Sequence, residues 1–166
     1  MDFQVMFRQG EEKIITEKGS YVVPIGGAAC VLSNGGPTHI KTIFPDLDMN
    51  KAKAEANKML ERCFSSKDKS KRVEGYLFCD EEFKLSKTKY SVTKTIENVE
   101  DDGAIQFIDI YYLTDFFDFL RLEMMYAMTN NMPIVKCGNC SKFFLADNPT
   151  MESVSYTHLD VYKRQV

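Results

Sequence analysis

Residues 104–129 read AIQFIDIYYLTDFFDFLRLEMMYAMT, and this stretch carries the strongest secondary-structure signals in the chain. Its first part, 104–112, combines β-branched and aromatic side chains after a turn, which predicts a strand. Its second part, 115–129, is apolar around most of a helical circumference, which predicts a helix with Thr114 as its N-cap. A helix of this kind is packed on two sides or covers a partner surface. Its methionine and aromatic stripe is more typical of a core than of a ligand pocket.

The N-terminal half predicts a hairpin and a second long helix. Residues 2–8 alternate apolar and polar side chains, and 13–16 supply a partner strand across the Gln9-Gly10 turn. Asp48 is placed to cap a helix over 49–64, in which small and apolar residues recur at three- and four-residue steps. These patterns predict an α+β fold: a small mixed sheet with two main helices.

Between the two helices, the sequence predicts strands over 73–79 and 84–99 and a turn at 100–103. The polar stretch 65–72, SSKDKSKR, predicts a solvated loop, with a phosphate-contacting loop as the alternative. Two earlier glycine pairs, 26–27 and 35–36, indicate turns or loops. The alternative is a phosphate-binding loop, but the segment lacks the Lys-Ser/Thr ending of a P-loop and the glycine spacing of a dinucleotide-binding motif.

Composition indicates a soluble globular protein. The chain has 166 residues, 44% of them hydrophobic and 27% charged, which suits one domain or one domain with a small appendage. No apolar run approaches a bilayer-spanning length and the N-terminus lacks a signal-peptide pattern, so we expect a cytoplasmic protein with no membrane partner. The net charge of −3 argues against nonspecific coating of nucleic acid but leaves a local basic contact open.

The C-terminal run VSYTHLDVYKRQ, residues 154–165, has an unusual coding property. Permitted codons spell it as DNA that is its own reverse complement over almost the full length, and this DNA is similar to two transposase mosaic-end adapters joined head to head. We therefore interpret 154–166 as a non-native, adapter-derived tail, with a genuine amphipathic tail as the alternative. The native reading frame is then expected to be truncated near residues 151–153.

Cys137 and Cys140 form a CxxC pair directly after an extended segment, whereas Cys30, Cys63 and Cys79 lie among apolar neighbours and are expected in the core. Two thiolates separated by two residues can bind one Zn²⁺ when Gly138 and Asn139 allow a tight turn. Tetrahedral zinc needs two further ligands, so the pair is half a site and is expected to be unoccupied in this chain. A redox CxxC motif and a pair of unliganded cysteines are the alternatives.

The run MPIVKCGNCSKFF, residues 132–144, together with the helix before it, resembles the C-terminal part of a group of bacterial proteins with a CxNCxKxF knuckle. It is also similar to the first half of CGNR-type zinc fingers at the end of stress-response regulators. The resemblance covers about 30 residues. It implies the first hairpin of a zinc ribbon or treble clef, with two further cysteines downstream. The expected organisation is an α+β body over 1–131, an incomplete zinc knuckle over 132–150 and the tail.

Two classes of function follow. The first is a bacterial binding or regulatory module whose complete zinc finger contacts nucleic acid or a protein, with Lys136 and Lys142 beside the knuckle as weak candidates for phosphate contacts. The second is an enzyme, or a component of a defence or mobile-element system, with its active site in a missing C-terminal part. No catalytic motif supports the second class: His39 is isolated, and Glu123 is expected to pair with Arg121.

Overall fold

A computed structural model describes residues 2–35, 38–99 and 103–147 of the chain. The α+β class is confirmed: a five-stranded sheet in the order β3-β2-β1-β5-β4 carries helices on one face, and a two-stranded sheet β6-β7 follows. The strands are β1 Phe3–Arg8, β2 Glu11–Thr16, β3 Gly19–Pro24, β4 Ser91–Val99, β5 Ile105–Leu113, β6 Ile134–Lys136 and β7 Phe143–Leu145. The helices are α1 Gly27–Ser33, α2 Thr38–Ile43, α3 Met49–Phe64, α4 Lys69–Phe83 and α5 Phe116–Thr129, with a short 3-10 helix at Leu85–Lys87.

The large sheet is antiparallel throughout rather than mixed. Short connections join β1 to β2, β2 to β3 and β4 to β5, whereas β1 pairs with β5 across a long separation in the chain. Gln9 and Gly10, both at positive φ, close the β1–β2 hairpin as the sequence predicted. The centre is β1, whose residues Phe3, Val5 and Phe7 all point into the core. Alternation of apolar and polar residues thus gives the sheet one face against the helices.

Helix α3 matches its prediction at both ends. The Asp48 side chain accepts hydrogen bonds from the backbone amides of Asn50 and Lys51, each at 3.1 Å, and the helix ends at Phe64. Helix α5 is packed on two sides as expected, with Phe119, Leu120 and Met124 fully buried. Its N-cap is Asp115 rather than Thr114, because the Asp115 carboxylate accepts from the Phe117 amide at 2.8 Å.

Residues 73–79 were predicted to form a strand, and this prediction is wrong: they lie in the middle of α4. The helix begins inside the polar stretch that was predicted to be a loop, where Asp68 accepts from the Ser70 amide at 2.8 Å. The β-branched and aromatic side chains of this segment favour a strand locally. Packing against α3 and the Asp68 cap outweigh that preference. The described part of the chain therefore has three long helices instead of two.

The glycine pairs flank elements that the sequence analysis did not predict. Gly26 has φ 83° and ends the turn after β3, and α1 follows directly. A side chain at Gly26 would collide with Ile134, since an added Cβ would lie 2.6 Å from its Cδ1. The interpretation as turn residues is correct for Gly26 and Gly35, but the segment between them is helical rather than loop.

Strand β4 was expected to expose one face, yet its described side chains are exposed or half-buried on both faces, with none fully buried. It forms an edge of the sheet. It begins at Ser91, later than predicted, after the 3-10 helix. Ile96 and its register partner Phe107 are each more than half exposed. The predicted turn at 100–103 and the adapter-derived tail lie largely or wholly outside the described residues, apart from Gly103.

Within the described ranges, no helix combines the length and the apolar character that crossing a bilayer requires.

Candidate metal-binding site

The two candidate ligands lie in the tight connection between β6 and β7. Cys137 follows β6 directly, and its backbone amide donates to the Lys142 carbonyl at 2.9 Å. The Ser141 amide donates to the Cys137 carbonyl, also at 2.9 Å, which closes the loop around the second cysteine. Ser141 has φ 58°, in the left-handed region that such a closed turn requires. The backbone therefore returns on itself within the CxxC segment, as the sequence predicted.

The thiols of this turn differ in exposure. Cys137 is buried and Cys140 is exposed, and neither is in a disulfide. Across the described ranges, no group of three or more histidine, cysteine or acidic side chains could hold a metal ion. The remaining candidates lie elsewhere: His39 stacks near Tyr21 with ring centroids 6.1 Å apart, and the other cysteines are in the core. The described residues thus supply two of the four donors that tetrahedral zinc needs.

The β6–β7 hairpin is anchored to the rest of the molecule. Ile134 and Phe143 are fully buried members of the main hydrophobic core. The Asn34 side-chain amide, at the end of α1, donates to the Phe143 carbonyl at 2.7 Å. The Ala146 amide donates to the Pro133 carbonyl at 2.8 Å and closes the base of the hairpin. The turn with the two cysteines is therefore presented by a fixed base, which suits a metal site.

Lys136 is engaged with the body of the protein. Its Nζ atom lies 2.5 Å from the Glu61 carboxylate on α3 and 5.7 Å from the centroid of the Phe143 ring. A phosphate contact by Lys136 would therefore have to replace this ion pair. The Lys142 carbonyl takes part in the turn, and its side chain is half-buried.

A buried pair of acids, Glu12 and Glu123, is the second unusual feature, and the sequence analysis did not identify it. Both side chains are fully buried. The Glu123 carboxylate accepts from the Ala28 amide at 2.8 Å and from the Ala29 amide at 3.0 Å. It caps the first turn of α1, which has no side-chain cap of its own.

Glu123 was expected to pair with Arg121, and this prediction is wrong. The Arg121 guanidinium instead binds Asp118 at 2.9 Å on its own helix and Glu55 at 3.2 Å on α3. Residues two positions apart on a helix point in different directions, so Arg121 and Glu123 cannot share a face. The two-residue separation of Arg121 and Glu123 on α5 therefore argues against an ion pair between them.

The electrostatics of the acid pair favour one retained proton. Burial, followed by the charge of Glu123, raises the pKa of Glu12 well above 4.5. Burial also raises the pKa of Glu123, to about 7, although hydrogen bonds from the α1 amides oppose the shift. The hydrogen bond between the two side chains raises the pKa of Glu12 and lowers that of Glu123. The directions of these shifts indicate that Glu12 holds its proton more firmly than Glu123 does. The clue in the sequence was an acid at an inward position of β2, next to buried Ile14.

Two clefts on the described surface have neither Cys137 nor Cys140 in their lining. One, of about 290 Å³, lies between the start of α5 and the segment after α2 and is lined by Phe3, Phe44 and Asp115, among others. The other, of about 230 Å³, lies on the open face of the sheet beside the Arg8–Glu97 ion pair and Lys13. Glu12 is among the residues that line this second cleft, although its side chain is fully buried.

Residues 84–153 match the model of a family of unknown function, DUF6076. The matched range covers the β4–β5 hairpin, α5 and the β6–β7 hairpin, which is less than half of the chain. It ends immediately before the segment interpreted as adapter-derived. No match was found among the curated proteins or among the solved structures. The similarity therefore groups the CxxC hairpin with α5 and the β4–β5 hairpin but assigns no activity.

Proposed function

We propose that this chain is a cytoplasmic binding or regulatory module whose complete form carries a structural zinc site, with Cys137 and Cys140 as the first two ligands. The observation that carries the proposal is the closed turn, in which the Cys137 backbone bonds to both Ser141 and Lys142. Such a turn holds two cysteines three positions apart at one end of a short hairpin. Two further thiolates or imidazoles from the complete protein would close the tetrahedron.

The anchoring of the hairpin supports a structural role for the metal. Ile134 and Phe143 tie the hairpin to the core, so a metal that stiffens the turn also stabilises the body. Metal binding of this kind contributes directly to folding free energy. No step of a reaction is assigned to the zinc.

The test is the metal content of the protein expressed from its complete gene. We expect one zinc per chain, lost in Cys137→Ser and in Cys140→Ser and retained in Cys30→Ser, a buried thiol on α1 that serves as the matched control. The measurement is elemental analysis after dialysis, with cobalt substitution to detect thiolate coordination by its absorption. A complete protein without bound metal would refute the zinc site.

For the 166-residue chain itself, we expect weak zinc binding, or one ion shared by two chains, because the proposed site has two ligands among the residues that the structure describes. Titration with cobalt, combined with gel filtration, separates these cases. Tight binding of one ion by one chain would contradict the half-site and would point to ligands that the proposal does not include.

The proposed partner of the finger is nucleic acid, contacted locally by Lys136 and Lys142. We expect the affinity of the complete protein for a short duplex to fall steeply with salt, and Lys142→Ala to reduce the slope by about one. Lys18→Ala, an exposed lysine on the β2–β3 turn, is the matched control. Removing zinc should abolish binding. Binding that is unchanged without zinc would show that the finger is not the contact surface.

A further inference from the structure

Cys63 on α3 and Cys79 on α4 bring their sulfur atoms within 3.6 Å of each other. Both side chains are fully buried, and both are free thiols. This distance is a contact between two thiols rather than a bond, since a disulfide needs about 2.05 Å. The two residues were expected to be separate core cysteines, and the structure places them together.

The contact is set by a close crossing of the two helices. Gly75 lies directly against the Arg62 carbonyl, where an added Cβ would be only 1.9 Å from the oxygen. The Arg62 guanidinium lies over the Phe78 ring, 4.1 Å from its centroid. Since Arg62 precedes Cys63 and Phe78 precedes Cys79, these contacts fix the two thiols opposite each other.

Helix α4 is lightly attached at this crossing. Cys79 is its buried residue, whereas Val73, Leu77 and Phe78 are exposed by 57%, 61% and 41%. Elements with few buried apolar contacts open locally at low free-energy cost. Opening of α4 gives a small oxidant access to thiols that are covered in the closed form.

The two thiols also differ in pKa, and thiol–disulfide exchange requires one of them to ionise first. The hydrogen bond from the Cys63 thiol lowers the pKa of Cys79, whereas that bond and burial raise the pKa of Cys63. Cys79 is then the residue that reaches the thiolate form first, and the thiolate is the attacking species. Cys63 retains its proton until the second step.

We propose that Cys63 and Cys79 form a reversible disulfide that fastens α4 to α3, made by exchange with a small-molecule disulfide such as oxidised glutathione. The Cys79 thiolate attacks one sulfur of the small disulfide, forms a mixed disulfide and expels one thiolate. Cys63 then loses its proton, attacks the Cys79 sulfur and expels the second thiolate. Two protein thiols are oxidised and one small disulfide is reduced to two thiols, so atoms and electrons balance.

The test uses the folded full chain, equilibrated with oxidised and reduced glutathione, alkylated in acid-quenched denaturant and digested with trypsin without reduction. Trypsin places Cys63 in peptide 63–67 and Cys79 in peptide 73–84, while Cys137 and Cys140 share peptide 137–142. A disulfide within the CxxC turn therefore cannot be mistaken for the proposed one. We expect peptides 63–67 and 73–84 to be linked, and dithiothreitol to release them.

Two variants sharpen the test. Cys63→Ser should leave Cys79 as a stable mixed disulfide with glutathione, because the second attack has no thiol. Cys30→Ser, which removes an equally buried thiol on α1, should leave the linked peptides unchanged. The proposal is overturned if wild-type protein at oxidising ratios keeps both peptides as alkylated thiols or carries glutathione without a link. The wild-type result stands even if a variant fails to fold.

Discussion

At the scale of single residues, the acid pair of Glu12 and Glu123 stands out because two carboxyl groups are fully buried among apolar side chains. A buried carboxylate is tolerated when backbone amides satisfy it, as Ala28 and Ala29 do for Glu123. Burial and the charge of Glu123 raise the pKa of Glu12 well above its usual range, so Glu12 is the acid that retains its proton. Burial and the nearby acids also raise the pKa of Tyr21 to about 12, so this neighbour stays neutral as well.

The acid pair predicts an unusual pH dependence of stability. Both folded pKa values lie above the ordinary 4.5, so the folded state holds protons that the unfolded chain releases. The free energy of unfolding should therefore fall as pH rises from 4.5 through about 7, at about 1.4 kcal/mol per pH unit for each proton. Glu12→Gln should weaken the dependence of the unfolding free energy on pH. At about pH 8, Glu12→Gln should be more stable than wild type.

Urea unfolding at a series of pH values measures this effect. Glu11→Gln is the matched control, since Glu11 precedes Glu12 on the same strand but is exposed. The control should retain the slope of the wild type. An undiminished slope in Glu12→Gln would exclude the acid pair as its source.

At the scale of secondary-structure elements, the crossing of α3 and α4 decides the conformation of residues 69–83. The polar start and the apolar middle of this segment did not predict a helix, and its β-branched and aromatic side chains favoured a strand. Gly75 resolves the conflict because it lets the α4 backbone approach the Arg62 carbonyl closely. Two cation–π contacts, Arg62 with Phe78 and Arg72 with Phe64, add to the attachment.

Gly75→Ala tests the crossing. Alanine in place of glycine normally stabilises an exposed helix by about 1 kcal/mol. Here the new methyl group would meet backbone, so we expect a loss of about 1–3 kcal/mol in unfolding free energy and faster proteolysis within residues 65–72. Glu74→Ala, at the neighbouring exposed position, is the matched control and should be near neutral. Increased stability of Gly75→Ala would show that the helices do not cross closely.

At the scale of the whole molecule, the β6–β7 hairpin belongs to the same core as the body. Ile134 and Phe143 are in one apolar cluster with Val5 of the central strand and Leu120 of α5. The segment expected to be an appended knuckle therefore shares its apolar residues with the body, whatever its metal state. Elements that share a core of this size commonly unfold together.

Phe143→Ala should therefore destabilise the entire chain by about 3–5 kcal/mol, because it empties a fully buried aromatic site. Unfolding followed by far-ultraviolet circular dichroism and by tyrosine fluorescence should give coincident transitions in wild type. Phe144→Ala, the half-buried neighbour, should cost less. A Phe143→Ala protein with unchanged global stability would indicate that the hairpin unfolds independently.

Secondary structure was predicted correctly from the sequence where the local pattern favoured a single type of element. The Asp48 cap and the periodic stripe of α3, the alternation of β1 and the two apolar faces of α5 each specify an element by themselves. The prediction failed where two local preferences conflicted. Residues 73–79 have strand-forming side chains and a helical outcome, and α1 is a short helix without a side-chain cap of its own.

Local patterns predicted the α+β class, the main helices α3 and α5, the first hairpin and the position of the CxxC turn, because these depend on spacing within a few residues. Three features became visible with the folded structure: Glu123 caps α1, Glu12 keeps a proton beside it, and Cys63 contacts Cys79. Those features join residues far apart in the chain. Their energies depend on burial and on the approach of two backbones, which no local pattern of side chains encodes.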